Sequence, residues 1–331
     1  MSSESLLLDA AVQGMDTIAR HEHFVSYSAS DWRRAAGDVT PFAIEGLVAR
    51  GVTLLYGQSE AGKSMIGAGI VAAAVSGQGE FLERAVEQRQ WQAGILTGDF
   101  RDAPRWCERL ERVLTPSQMA RVSVYDPTRV AMPFDAGWAE LAEVTDWEGV
   151  NLLVIDNLST FVPGDINHGP ACMQFFDTLV QFTARDITVI VLAHSTEKHG
   201  QFGPQDFIGH SAIKQRPSFH VKVRKVDDNH KVLTTHGNDC GDGELSVSMA
   251  DAATPAFELV GAKGSDQLSE ERRGRRRDRD KGTMDLNAEI WGVKDAHPGW
   301  SYQRVADEMS GVKGRTVTKR RVQTAMESRK K

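Results

Sequence analysis

Four residues set the chemistry available to this chain: Gly57, Gly62, Lys63 and Ser64, within the run GQSEAGKS. The spacing G-x-x-x-x-G-K-[ST] lets successive backbone N–H groups curl around a polyphosphate, while a lysine reaches the outer phosphates and a hydroxyl joins the shell of a magnesium ion. Gln58, Ser59, Glu60 and Ala61 form the cradle between the glycines, and Met65 opens a helix whose N-terminus faces the phosphates. The flanking pattern agrees, because residues 52–56 read as a buried strand and 65–75 as an apolar helix. Without that context Lys63 would be an ordinary exposed lysine in a turn.

Three further residues stand at the ends of apolar runs. LLVIDN, residues 152–157, places Asp156 where a second magnesium contact beside Ser64 is needed, although buried strands also end in Asp for reasons of turn geometry. GILTGDF ends near Asp99, a carboxylate able to position or deprotonate water; the alternative is a turn or helix-capping aspartate ahead of Asp102 and Pro104. TVIVLAH ends in His194, either a sensor of the terminal phosphate or a partly buried histidine satisfied by a backbone carbonyl.

To converge, these residues need one scaffold. Strands are expected at 52–56, 92–97, 152–156, 188–193 and 219–226, with helical segments between the first four. Such alternation implies an α/β core with a central, mostly parallel sheet covered on both faces. The expected organisation is a helical or loosely ordered segment at 1–40, the α/β domain at 41–262, a charged linker at 263–282 and a small all-α domain at 283–331. The linker reading rests on SDQLSEERRGRRRDRDKG, which has almost no apolar content. In the last segment Leu286, Ile290 and Val293 share one helix face, and Tyr302, Val305, Ala306 and Met309 share another. A third helix is expected to begin near Arg315 and to carry Lys319, Arg320 and Arg321, which makes a helix-turn-helix, with or without a wing. Duplex DNA is its expected partner; a helical bundle that docks on protein is the alternative.

Composition bounds the rest. The 331 residues are 40% hydrophobic and 25% charged, with a net charge of −6, as in an ordinary globular chain. No run has the length of a membrane span, so a cytoplasmic protein with no membrane partner is expected. Residues 271–331 hold 17 Lys and Arg against 9 Asp and Glu, a balance of +8, which leaves −14 for residues 1–270. Charge asymmetry of that kind suggests a nucleic-acid contact, although basic runs are often solvated linkers. Cys107, Cys172 and Cys240 lack metal-ligand spacing and are expected to be reduced thiols.

Taken in order, PFAIEGLVARGVTLLYGQSEAGKS, ILTGDF, LLVIDNLSTF and VIVLAHSTEK resemble the RecA-like P-loop ATPases, most closely the hexameric replicative helicases of the plasmid RepA type and their phage relatives. The resemblance spans about residues 41–240 and weakens around IGHSAIKQRPSFHVKV. It implies that Gly57, Gly62, Lys63 and Ser64 bind ATP and magnesium, that Asp156 completes the metal site, and that His194 couples nucleotide state to a DNA-facing loop. Asp99 falls where the family usually has glutamate, one methylene longer. The resemblance implies an arginine finger near 216–224; Ser218 stands closest to its place, with Arg216 the nearest substitute and Lys222 with Arg224 the next. A finger reaching a neighbour's site requires a ring. The stretches after Asp156 and after His194, the latter with Lys198 and His199, would then grip single-stranded DNA, the alternative being a lid or a subunit-packing loop. A replicative helicase is the leading expectation, an ATP-switched DNA-binding regulator or loader the second, and a small-molecule kinase a third.

Overall fold

The computed structural model describes residues 17–20, 25–30, 40–99, 101–126, 134–195, 199–200, 203–204, 212–237, 242–313 and 316–329. The chain divides into two compact units, Met1–Ser265 and Asp266–Lys331. Among the described residues of the first unit the central element is a nine-stranded sheet. Its strands are β1 (Val52–Gly57), β2 (Ala93–Thr97), β3 (Val122–Tyr125), β4 (Leu152–Asp156), β5 (Thr188–His194), β6 (Phe219–Lys225), β7 (His230–Gly237), β8 (Gly243–Met249) and β9 (Phe257–Lys263).

They lie in the order β9-β8-β7-β6-β1-β5-β4-β2-β3. From β6 to β3 every pairing is parallel. From β6 to β9 every pairing is antiparallel. The division follows from sequence: β4 and β5 are continuous apolar runs that can be buried on both faces, as the middle of a parallel sheet must be. By contrast β6, FHVKVRK, buries alternate residues and leaves the others partly exposed.

Register aligns the strand ends that carry chemistry. Gly57 pairs with His194 across β1 and β5, and Asp156 with Thr97 across β4 and β2. The P-loop, Asp156, His194 and the residues just past Thr97 therefore share the carboxyl edge of the sheet, where open α/β sheets bind ligands.

Two apolar layers clamp the sheet. On one side lies α1 (Lys63–Ser76), whose residues are buried on almost all sides, together with α2 (Asp102–Glu111). On the other lie α3 (Phe134–Trp147) and α4 (Gly169–Thr178), with Trp138 edge-on to Phe161, Phe175 and Phe182. Cys172 is buried here, donating its thiol proton to the Ile166 carbonyl at 3.1 Å. No helix among the described residues is long and apolar enough to cross a membrane.

The second unit holds α5 (Ser265–Ala296), α6 (Tyr302–Lys313) and α7 (Lys319–Ser328) around a core of Ile290, Val305, Ala306, Met309, Val317, Val322 and Ala325. Here two expectations are corrected. Residues 265–282, expected as a linker, form the first half of the 32-residue α5. They cannot build a core, but Arg, Glu and Lys are strong helix formers that support one another three and four residues apart. The third helix starts at Lys319 rather than near Arg315, because the β-branched Thr316, Val317 and Thr318 delay it and the Thr318 hydroxyl caps it by accepting the Arg321 N–H.

Candidate nucleotide site

The P-loop leaves β1 at Gly57 and enters α1 at Lys63. Two of its residues take the left-handed conformation, Glu60 at φ 60° and Gly62 at φ 91°. Such alternation turns successive N–H groups inward to make an anion-binding concavity. Gly57 is required for another reason: a Cβ there would lie 2.3 Å from the carbonyl oxygen of Val223 on β6. Helix α1 has no acidic residue in its first turn to neutralise its N-terminus.

Lys63 is 6% exposed and donates to the carbonyls of Gly57 at 3.1 Å and Gln58 at 2.8 Å. It also lies 3.2 Å from Nδ1 of His194. Burial pulls the ammonium down to about 8, against the opposing pull of the Asp156 charge. For His194, burial and then the Lys63 charge lower the imidazole below its ordinary value, which favours the form in which Nδ1 accepts from the Lys63 ammonium.

Asp156 is 9% exposed, and its Oδ2 accepts from Ser64 Oγ at 2.8 Å and from Trp106 Nε1 at 3.1 Å. Burial raises its carboxyl above the usual range while these two donors oppose the shift. A hydroxyl and a carboxylate at this separation are hard oxygen donors of the kind magnesium takes, and the cradle beside them supplies amides and a lysine for phosphates. The residues fit both groups.

Sequence reasoning missed Trp106 and Arg109. Both lie on α2 with Asp102, at a spacing of four and three residues that puts all three on one helix face. Trp106 is fully buried, its ring against Gly67 of α1, 3.0 Å from where a Cβ would stand. Arg109 is half-buried in the field of Asp156 and Asp102, and burial lowers its guanidinium below the usual value. The signal available beforehand was a tryptophan and an arginine at helical spacing after a strand that ends near the P-loop.

Asp99 takes the turn role that the sequence left open, two residues ahead of Arg101, which stands at the N-cap of α2. Its carboxylate accepts from the backbone N–H of Arg101 at 2.9 Å and from the guanidinium at 2.9 and 3.2 Å. The Arg101 side-chain bonds hold its pKa at about 2. Arg216 is ion-paired at 2.8 Å with Asp177 of α4. It precedes the amino end of β6, which pairs Phe219 with Thr53 and Val223 with Gly57, so Arg216 stands at the sheet edge opposite its own P-loop. Lys198 and Arg315 lie outside the described residues, as does the side chain of His199. Lys319 and Arg320 are exposed at the start of α7, while Arg321 donates to the Thr283 carbonyl at 3.4 Å.

A family model described as an AAA domain matches residues 20–200, more than half of the chain. The chain belongs to that AAA-domain family. The match contains the P-loop, Asp99, Trp106, Asp156 and His194, and ends before Arg216 and the second unit. Family membership and the mostly parallel sheet fit a RecA-like P-loop NTPase core, with ATPase activity and ATP as its nucleotide. No curated protein matches the chain.

Proposed function

We propose that this AAA-domain ATPase is a motor on DNA that works as a ring, most similar in task to the replicative helicases of plasmids and phages. The observation that carries the reading is the contact between Lys63 and His194. The lysine that must reach the outer phosphates rests against the last residue of β5, the strand that leads directly into residues 196–211. When ATP draws Lys63 away from the Gly57 and Gln58 carbonyls, Nδ1 of His194 loses its donor. The imidazole then turns to a new partner, and the change passes into the chain that follows. Magnesium, when bound at Ser64 and Asp156, would offset charge on the phosphates. Arg109 adds a cation in the field of Asp156, and Asp99, freed from Arg101, orients the attacking water.

Arg216 supports a ring. At the opposite sheet edge it cannot serve its own P-loop, which leaves a neighbour's site as the one it would act on. Single-stranded DNA is the proposed partner of residues 162–171 and 196–211, Lys198 and His199 included; duplex DNA is that of the α6–α7 helix-turn-helix through Arg315, Lys319 and Arg320.

The experiment is ATP hydrolysis by purified protein with and without single-stranded DNA, at low and moderate salt. Stimulation that weakens as salt rises is expected, since backbone contacts release counterions. Turnover indifferent to DNA under both conditions overturns the motor.

A second reading, an ATP-switched DNA-binding regulator or loader, is favoured by the tie between Asp99 and Arg101. A carboxylate held by a neighbouring guanidinium is a poor partner for water, which suits slow hydrolysis. Removal of residues 271–331 separates the two: a motor keeps DNA-stimulated turnover, whereas a switch loses its duplex target.

A further inference from the structure

Opposite Lys225 of β6, the register places Lys231 of β7. Lys231 is 4% exposed, the most deeply buried charged side chain among the described residues. Its stem lies against the P-loop: a Cβ on Gly62 would meet Cε of Lys231 at 2.3 Å, Cδ at 3.1 Å and Nζ at 3.5 Å. The ammonium donates to the Asp228 carbonyl at 3.0 Å.

Among the described residues no carboxylate forms an ion pair with it. The two nearest in charge are committed elsewhere, Asp228 to Lys225 at 2.6 Å and Asp227 to His230 at 2.9 Å. Burial and then repulsion from Lys225 lower the ammonium below its usual range. The charges of Asp228 and Asp227 oppose that shift without forming an ion pair, and a buried cation with one carbonyl as its hydrogen-bond partner gains further from a negative charge that arrives beside it. On the same face of β7, Leu233 and Thr235 are buried without a charge.

We infer that Lys231 is a second phosphate-directed cation of the nucleotide site, acting on the bound polyphosphate from behind Gly62. The inference rests on the nucleotide reading of the P-loop and extends it to a strand beyond the residues matched by the family. Lys231 is a positioning residue: its stem fills the space a Cβ at position 62 would take and so holds the left-handed glycine in place, while its charge adds to the field of the cradle.

The test compares wild type with Lys231→Met, which keeps an unbranched stem and loses the charge, and with Lys231→Arg, which keeps the charge. Binding of ATP and ADP is followed by fluorescence of a labelled nucleotide, and thermal unfolding is measured without nucleotide. Lys231→Met is expected to weaken ATP binding on the order of tenfold, the size of one partly screened charge at this range. Its unfolding temperature should be equal or higher, because a buried charge is gone, and Lys231→Arg should retain most of the affinity. Should Lys231→Met not fold, Lys231→Gln gives the same comparison.

Wild-type affinity in Lys231→Met, or equal loss in Lys231→Met and Lys231→Arg, overturns the inference and leaves the nucleotide reading intact. Failure of wild type itself to bind ATP overturns both.

Discussion

Replacing Trp106 with Phe isolates one bond of the nucleotide site. The indole N–H lies 3.1 Å from Oδ2 of Asp156, with both groups buried, and the same oxygen accepts from Ser64. A hydrogen bond to a charged group contributes about 1.5–3 kcal/mol, and losing it leaves that oxygen to Ser64 alone. At about 1.4 kcal/mol per decade, this allows roughly a ten- to hundredfold loss in magnesium affinity, the range seen when partners of metal ligands are removed. The smaller ring also opens space against Gly67, so some loss of stability accompanies the change, about 1–2 kcal/mol by analogy with other core truncations. A second sign separates the two effects. Burial already raises the Asp156 carboxyl and Trp106 opposes that rise, so removing the indole pushes it higher still. The carboxylate then takes up its proton at a higher pH, and the acid limb of hydrolysis moves toward neutrality. The assay is the magnesium dependence of ATP hydrolysis at several pH values, alongside thermal unfolding. If Trp106→Phe lowers the unfolding temperature but leaves both the magnesium midpoint and the acid limb in place, the reasoning about Asp156 is wrong.

Lys63, lowered to about 8 in the free protein, regains its ordinary tendency to hold a proton when phosphates arrive, so ATP affinity should be level below pH 8 and fall by up to about tenfold per unit above it; titration calorimetry across pH 7–10 checks this, and a flat profile refutes it. Arg101→Ala frees Asp99, whose pKa should rise from about 2 toward the free-aspartate value of about 3.9, and is expected to raise kcat several-fold; an unchanged kcat means the pair opens by itself during turnover. Gly62→Ala forces a Cβ onto a residue at φ 91° and into Lys231, a local cost of about 1–3 kcal/mol, and should abolish ATP binding in a protein that remains folded by circular dichroism.

Gly57, Asp156 and His194 were legible in the sequence because each ends an apolar run. The runs before Gly57, Asp156 and His194 are central parallel strands, which must be apolar on both faces, and the first polar residue after them falls on the ligand edge. The antiparallel strands β7, β8 and β9 were not foreseen. In HKVLTTHG and GELSVSM apolar and polar residues mix, and the turn that launches β7 is made by Asp227, whose carboxylate accepts the N–H groups of Asn229 and His230. Read locally, VDDNHK is only a polar stretch. Lys231 was hidden for the same reason, since nothing in a sequence distinguishes a buried lysine from an exposed one across a hairpin. Asp99 shows the converse: its place at the strand end was legible, but its engagement with Arg101 depends on a side chain only two residues away that any loop could turn outward. Residues 265–282 misled through composition, because a segment too charged to form a core can still be a good helix.

An ammonium has three protons to give, and in the resting loop Lys63 has a taker for each: two carbonyls and an imidazole nitrogen. The loop is thus a competitor for its own lysine. Nucleotide enters by exchange, displacing contacts that were already made, and the net affinity is a difference between two satisfied states. A diphosphate offers the lysine fewer oxygens than a triphosphate while facing the same rivals, so these contacts by themselves favour the triphosphate.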